Sequence, residues 1–103
     1  MSLNKIILIL FFLIYNNLAL SESKLDLGLD VFNNKAQCGT CHTLKAADSK
    51  GVIGPNLDML KPSIPQTIYA VTNGIGVMPP WGDILTKEEI EAVAYYIFNS
   101  TSN

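Results

Sequence analysis

The sequence predicts an all-α fold of three to four short helices joined by long loops, on three observations. Residues 86–98 carry a capping pattern and one apolar stripe at helical spacing. No segment alternates apolar and polar residues as a half-buried strand would. The stretches 51–55, 61–65 and 74–82 are rich in Gly and Pro. Loops bury little apolar surface and their backbone polar groups need partners. So much loop in a short helical chain implies that a further group lies among the loops and completes the core.

The chain has 103 residues, enough for one domain, and its first stretch does not read as part of that domain. Met1 to Lys5 carries one positive charge, Ile6 to Ile14 is unbroken apolar sequence, and Asn16 to Ser21 is polar with small residues. This is the layout of a secretory signal peptide. The apolar run is about half of the ~20 residues that cross a bilayer, which weighs against a permanent anchor. Ala19 and Ser21 sit three and one residues before Glu22 and suit cleavage after Ser21; cleavage after Ala19 is the alternative. Residues 1–21 are therefore read as a cleaved leader and 22–103 as the mature domain, with no stable membrane anchor. A core of that size ordinarily needs a disulfide, a metal or a large cofactor.

Six lysines, no arginine and nine acidic residues leave residues 22–103 at −3, which excludes nucleic acid as a partner class. The charge is uneven. Residues 22–34 sum to −2 and 82–103 to −3, whereas 35–81 sum to +2 through Lys35, Lys45, Lys50 and Lys61.

Leu25, Leu29 and Phe32 recur at helical spacing and predict a first helix over about 24–33. Gly28 inside it costs about 1 kcal/mol against alanine and marks either a tolerated glycine or a close approach of another group. A further helix is predicted from Ile64 to Asn73, with Ile64, Ile68 and Val71 inward and Gly74 as its stop. In the last helix Thr86 caps and Glu89 completes a capping box, while Glu88, Glu89 and Glu91 favour the positive end of the dipole. Ile90, Val93, Ala94, Ile97 and Phe98 form its core-facing stripe.

Cys38-Gly39-Thr40-Cys41-His42 is the Cys-x-x-Cys-His pattern of covalent c-type haem attachment. Two thiols at this spacing form thioethers with the two vinyl groups of one porphyrin, and the adjacent histidine supplies an axial nitrogen to the iron. A thioredoxin-like redox pair needs alternating strands and helices, which this chain lacks. A zinc site wants four ligands and finds three, bunched together. A Cys38–Cys41 disulfide would close only a tiny loop and constrain the unfolded chain little.

A carrier's haem iron is ordinarily six-coordinate, and a thioether opposite histidine raises the potential. Met59, in Leu57-Asp58-Met59-Leu60, reads as core filler. Met78 stands in a glycine-rich loop stiffened by Pro79, far enough along the chain to reach the other haem face, and is the predicted second ligand. Without it, an open iron would point to ligand sensing or peroxidase-like chemistry.

From Gly28 to Phe98 the chain resembles the class I mono-haem c-type cytochromes, the short soluble bacterial and algal carriers. The resemblance implies a cytochrome c-like fold of helices and loops wrapped around one haem c. It implies that Gly28 and Phe32 pack on Tyr95 or Tyr96, that the Pro55 carbonyl in Gly54-Pro55-Asn56-Leu57 accepts a hydrogen bond from His42, and that Met78-Pro79 is the methionine-ligand loop. Two features depart from the pattern. The six positions from Phe32 to Cys38 imply a bulge before the motif, and Trp81 stands where relatives have a smaller group, either walling the haem or facing a partner at its edge.

The implied function is single-electron transfer in the periplasm without substrate chemistry, by a monomer that docks briefly on redox protein partners. Lys35, Lys45, Lys50 and Lys61 are the candidate docking rim. Two other functions remain open at this point: a haem subunit permanently bound to a dehydrogenase, and a haem-based sensor.

Overall fold

The computed structural model describes residues 3–102. Helix α1 (Leu3–Asp30) is continuous over 28 residues. No proline interrupts it and no glycine comes before Gly28, so nothing in the sequence ends the helix between its apolar first part and the residues that pack on α4. This differs from the predicted start near residue 24, because no helix-breaking residue stands between the apolar run and Leu25. The two halves have different surroundings. Residues 3–20 are exposed throughout, and Leu3–Lys35 is long and apolar enough by length and composition to cross a membrane. From Ser21 onward the helix lies on α4 (Lys87–Thr101). Ser21 Oγ and Tyr95 OH share a hydrogen bond of 2.9 Å, and Lys24 Nζ sits 5.1 Å from the Tyr95 ring centroid. Gly28 marks the crossing: a Cβ there would stand 2.3 Å from the Ala92 carbonyl oxygen and 2.5 Å from Tyr96 Cβ. Only glycine lets the two backbones approach this closely.

After Asp30 the chain widens into a π-helical turn, Val31–Lys35, where the sequence predicts a bulge. The wider turn absorbs the extra residue while Val31 and Phe32 stay fully buried. Phe32 meets Tyr96, of the two candidate tyrosines, with ring centroids 6.1 Å apart and planes tilted by 58°. Lys35 pairs with Glu89, whose other carboxylate oxygen accepts from the Thr86 backbone N–H, so one side chain caps α4 and ties it to the turn. Those contacts hold the Glu89 carboxyl below the usual range.

A short hairpin with two-residue strands follows, β1 (Thr43–Leu44) antiparallel to β2 (Ser49–Lys50). It is too short to leave an alternating pattern in sequence, and the fold is all-α as predicted. Helix α2 (Leu57–Leu60) is capped by Asn56, whose side chain accepts from the backbone N–H groups of Asp58 and Met59. Helix α3 (Ile64–Asn73) starts at a Ser63–Gln66 capping box and stops at Gly74, whose φ of 73° suits glycine. Helix α4 has the predicted Thr86–Glu89 box.

The core joins Val31 and Phe32 to Leu44, Leu57, Val71, Leu85 and the α4 row Ile90, Val93, Tyr96 and Ile97. Four side chains sit elsewhere than the sequence places them. Phe98 is 42% exposed, and Thr101 continues the buried row instead. Met59 is 81% exposed rather than core filler. On α3 the most buried residues are Thr67 and Val71, with Ile64 and Ile68 only partly covered.

Candidate functional site

Gln37, in the left-handed conformation at φ 50°, turns the chain from the π turn into a single 3₁₀ turn, Cys38–Thr40. Cys41 and His42 both direct their backbone N–H groups to the Cys38 carbonyl, at 3.1 and 3.0 Å. The Cys-x-x-Cys-His run is thus coiled back on itself, with both thiols and the imidazole along one wall of a cleft. Neither cysteine is in a disulfide. Burial pushes the Cys38 thiol up to about 11, so it is a neutral thiol at pH 7 rather than the thiolate that disulfide exchange requires.

His42 is fixed from three directions. Its Nδ1 lies 2.7 Å from the Pro55 carbonyl oxygen. A carbonyl only accepts, so Nδ1 carries the proton and Nε2 keeps its lone pair for a metal. The Gly54 N–H donates to the Cys41 carbonyl at 2.7 Å, which brings the loop carrying Pro55 under the motif. Gly54 must be glycine there, since a Cβ would stand 2.5 Å from His42 Cε1. Ser49 Oγ, from β2, donates to the His42 carbonyl at 2.9 Å.

The other wall comes from α3 and the loop after it. Ile75 and Met78 exchange backbone hydrogen bonds, and the N–H groups of Trp81 and Gly82 return to the carbonyls of Val71 and Thr72 at 2.8 and 3.1 Å. These bonds fold the loop back on α3 and bring the half-buried Met78 and Trp81 into the same cleft as Cys38, Cys41, His42 and Pro55. Met59 does not line it. All six residues singled out from sequence therefore border one cavity.

That cavity has a volume of about 920 Å³, near the upper end for small-molecule sites, and Leu57, Val71 and Ile97 give it apolar walls. Its donors are two thiols, one imidazole nitrogen and one thioether, and among the described residues no group of three His, Cys, Asp or Glu could hold a bare metal ion. The set fits a large apolar ring that carries its own metal. Thr67 also lines the cleft, with a buried hydroxyl that has no hydrogen-bond partner among the described residues. Sequence reasoning missed it because a stripe drawn through apolar residues skips a buried threonine; its place one turn before Val71 was the available signal.

Residues 24–97 match the family described as cytochrome C oxidase, cbb3-type, subunit III. The chain is 34% identical over 93 residues to the chloroplastic cytochrome c6 of Chlamydomonas reinhardtii, a match that takes in 81% of this chain and 59% of that protein. Its likeness to the cytochrome c6 of Tetradesmus obliquus is 33% over 87 residues, covering 75% of this chain and 93% of the relative. It is also 33% identical over 99 residues to the cbb3-type cytochrome c oxidase subunit FixP of Sinorhizobium medicae, covering 82% of this chain and 33% of that protein. Among solved structures, the c-type cytochrome SorU from Sinorhizobium meliloti superposes with a TM-score of 0.74 at 50% identity, covering 78% of this chain and 93% of that one.

Proposed function

The chain belongs to the class I mono-haem c-type cytochromes, with one covalently bound haem c as cofactor, and on that premise we propose that it is an exported single-electron carrier with His42 and Met78 as axial ligands. The observation that carries this reading is the 2.7 Å contact between His42 Nδ1 and the Pro55 carbonyl, in a cleft that Met78 also lines. The contact commits one tautomer, aims Nε2 inward and raises the basicity of the ring.

Haem, when bound, supplies the ferrous/ferric couple, and the chain's own residues set its terms. Cys38 and Cys41 are the chain's only cysteines, so both thioether bonds fall on them. Thioethers keep the cofactor attached outside the cytoplasm. Met78 and the apolar walls favour the reduced state, while His42, oriented by Pro55, offsets part of that preference. Trp81 covers one side of the cleft and helps exclude water.

Residues 1–21 act as the export signal and are removed after Ser21, which releases a periplasmic monomer of residues 22–103. Its redox partners dock briefly through a small interface assisted by charge. Lys35 contributes less to that rim than the sequence implies, because Glu89 neutralises it. Lys45 and Lys50 are exposed on the hairpin segment beside His42.

A second reading, a permanently bound haem subunit of a larger redox complex, is favoured by the match to an oxidase subunit and by the exposure of Val77 and Ile84 beside the Met78 loop, at 88% and 70%. Copurification of a catalytic chain at stoichiometric amounts would establish it and displace the free carrier.

The deciding test is the absorption spectrum of the haem-loaded protein before and after Met78→Ala. The wild type is expected to show a weak ferric band near ~700 nm from sulfur ligation, and the variant to lose it. Its potential should fall by at least about 60 mV, a tenfold change for one electron. A wild type without the band that binds carbon monoxide at neutral pH would point to sensing instead.

A further inference from the structure

Ser21, the residue before the leader's cleavage site, is also the first half-buried residue of α1. Its Oγ shares the 2.9 Å hydrogen bond with Tyr95 OH of α4. One turn on, Lys24 Nζ lies 5.1 Å from the centre of the same ring. A further turn on, Gly28 meets α4 so closely that a Cβ would stand 2.3 Å from the Ala92 carbonyl oxygen. The bond Ser21–Glu22, and the alternative bond Ala19–Leu20, both lie inside the unbroken helix Leu3–Asp30.

A peptidase acts on backbone that has left its helix, and where opening is fast, cleavage follows the population of the opened form. Local propensity resists opening weakly here, since Asn16, Asn17, Ser21 and Ser23 rank below Ala, Leu and Lys as helix formers. What holds the helix from Ser21 onward is α4, and α4 stands in place only once the core it shares with Val31, Phe32 and Leu57 has formed. That core borders the haem cleft, because Leu57, Val71 and Ile97 belong to both. A domain of this size lacks the filling to hold such a core without its cofactor.

We propose that folding closes the leader's cleavage site. Cleavage after Ser21 belongs before the domain collapses around its haem, while residues 19–22 are still free to open. A chain that folds first keeps α1 whole and stays at the membrane through its exposed apolar residues, on a helix long and apolar enough to cross it. The order of two steps, cleavage and folding, thus decides between a free and a tethered form of the same carrier. The inference rests on the reading of residues 1–21 as the leader.

The test uses the full chain, kept uncleaved during expression by a signal-peptidase inhibitor and purified in detergent with its haem attached. Signal peptidase is then added; the band shift on a gel gives the rate and the product mass identifies the bond. The haem-loaded chain should be cut at least about tenfold more slowly than the Cys38→Ala, Cys41→Ala chain, which carries no covalent haem. Gly28→Val keeps the attachment motif but forces α1 off α4, and the haem-loaded variant should lose the protection. Equal rates for the haem-loaded wild type and the haem-free chain would overturn the proposal. Full protection in Gly28→Val would overturn it too, by placing the block elsewhere than α4. No cleavage of any of the three chains would sink the leader reading itself, an outcome distinct from cleavage that ignores folding.

Discussion

The two walls of the cleft are built on different principles. On the His42 wall the polar groups around the imidazole are paired within the chain: Nδ1 with the Pro55 carbonyl, the Cys41 carbonyl with Gly54, the His42 carbonyl with Ser49. On the Met78 wall the backbone is strapped to α3 but the side chains are not held in the same way. Thr67 has no side-chain hydrogen-bond partner among the described residues, and Ile75 and Val77 are 60% and 88% exposed. If His42 and Met78 are the axial donors proposed above, the chain orients one before any cofactor arrives and leaves the other to be fixed by coordination. Preorganisation limits reorganisation when an electron moves; a looser second ligand is where the potential can be tuned.

The comparison breaks most completely if the covalent anchor is removed. Cys38→Ala with Cys41→Ala should abolish covalent haem, read as loss of haem from the protein band on a denaturing gel. It should also leave the apolar cleft without its filling and the domain unable to fold stably, seen as loss of the cooperative thermal transition. Retention of covalent haem would overturn the attachment assignment.

The next largest effect tests the rigidity of the His42 wall. Gly54→Ala places a methyl 2.5 Å from His42 Cε1, so either the ring or the 54–55 backbone must shift. A cost of about 1–3 kcal/mol is expected for such overpacking. Thermal melting of the haem-loaded variant measures it, and a change in the His42 ring proton shifts would show that the Pro55 contact has moved. A variant as stable as wild type would mean that this wall yields as easily as the other.

Much of the fold was legible from particular residues. The Thr86–Glu89 box and the Gly74 stop are local signals whose physics needs no tertiary context, whereas Gly28 left two readings open that only the packing of α4 decides. Other elements leave weaker traces. The π turn at Val31–Lys35 and the hairpin at Thr43–Lys50 are too short to impose a period, and Ser63–Gln66 is a capping box that apolar counting passes over. Phe98 fits the helical spacing of α4, yet the row that packs runs through Thr101, because the neighbouring elements, not the spacing, decide which face is covered. For the site, the motif gives the two thiols and the imidazole directly, since five adjacent residues carry them, while the contacts from Ser49 and Gly54 that complete this wall need the fold. The Met78 wall depends on how a loop folds back on α3, which is why Thr67 emerges only in three dimensions.

A smaller effect sharpens the contrast between the walls without any mutation. Imidazole added to the ferric protein should displace Met78 and release its wall while His42 keeps its bond. Amide exchange at Ile75 and Met78, which pair with each other, should then rise by about tenfold, whereas Gly54, which donates to the Cys41 carbonyl, should be unaffected. Equal acceleration at all three would show one cooperative unit rather than two walls of different stiffness.

The smallest effect asks which wall meets a partner. Lys45 and Lys50 set exposed charge beside the His42 wall, where Val52 and Ile53 are exposed too, whereas the Met78 loop exposes the apolar Ile75 and Val77 and carries no charge. Exposed charges act mainly on association rate and are screened by salt, while apolar contacts respond little to ionic strength. The double variant Lys45→Glu, Lys50→Glu should therefore slow electron exchange with the physiological partner severalfold, on the order of 1 kcal/mol in the encounter, at low salt and progressively less as salt is raised. Val77→Ser should produce a salt-independent loss if partners instead settle on the Met78 side. A response to the lysines alone would assign steering to the rigid wall, where the ligand geometry is least disturbed by contact. A response to Val77 alone would put docking pressure on the looser wall, and partner binding would then be expected to shift the potential through Met78.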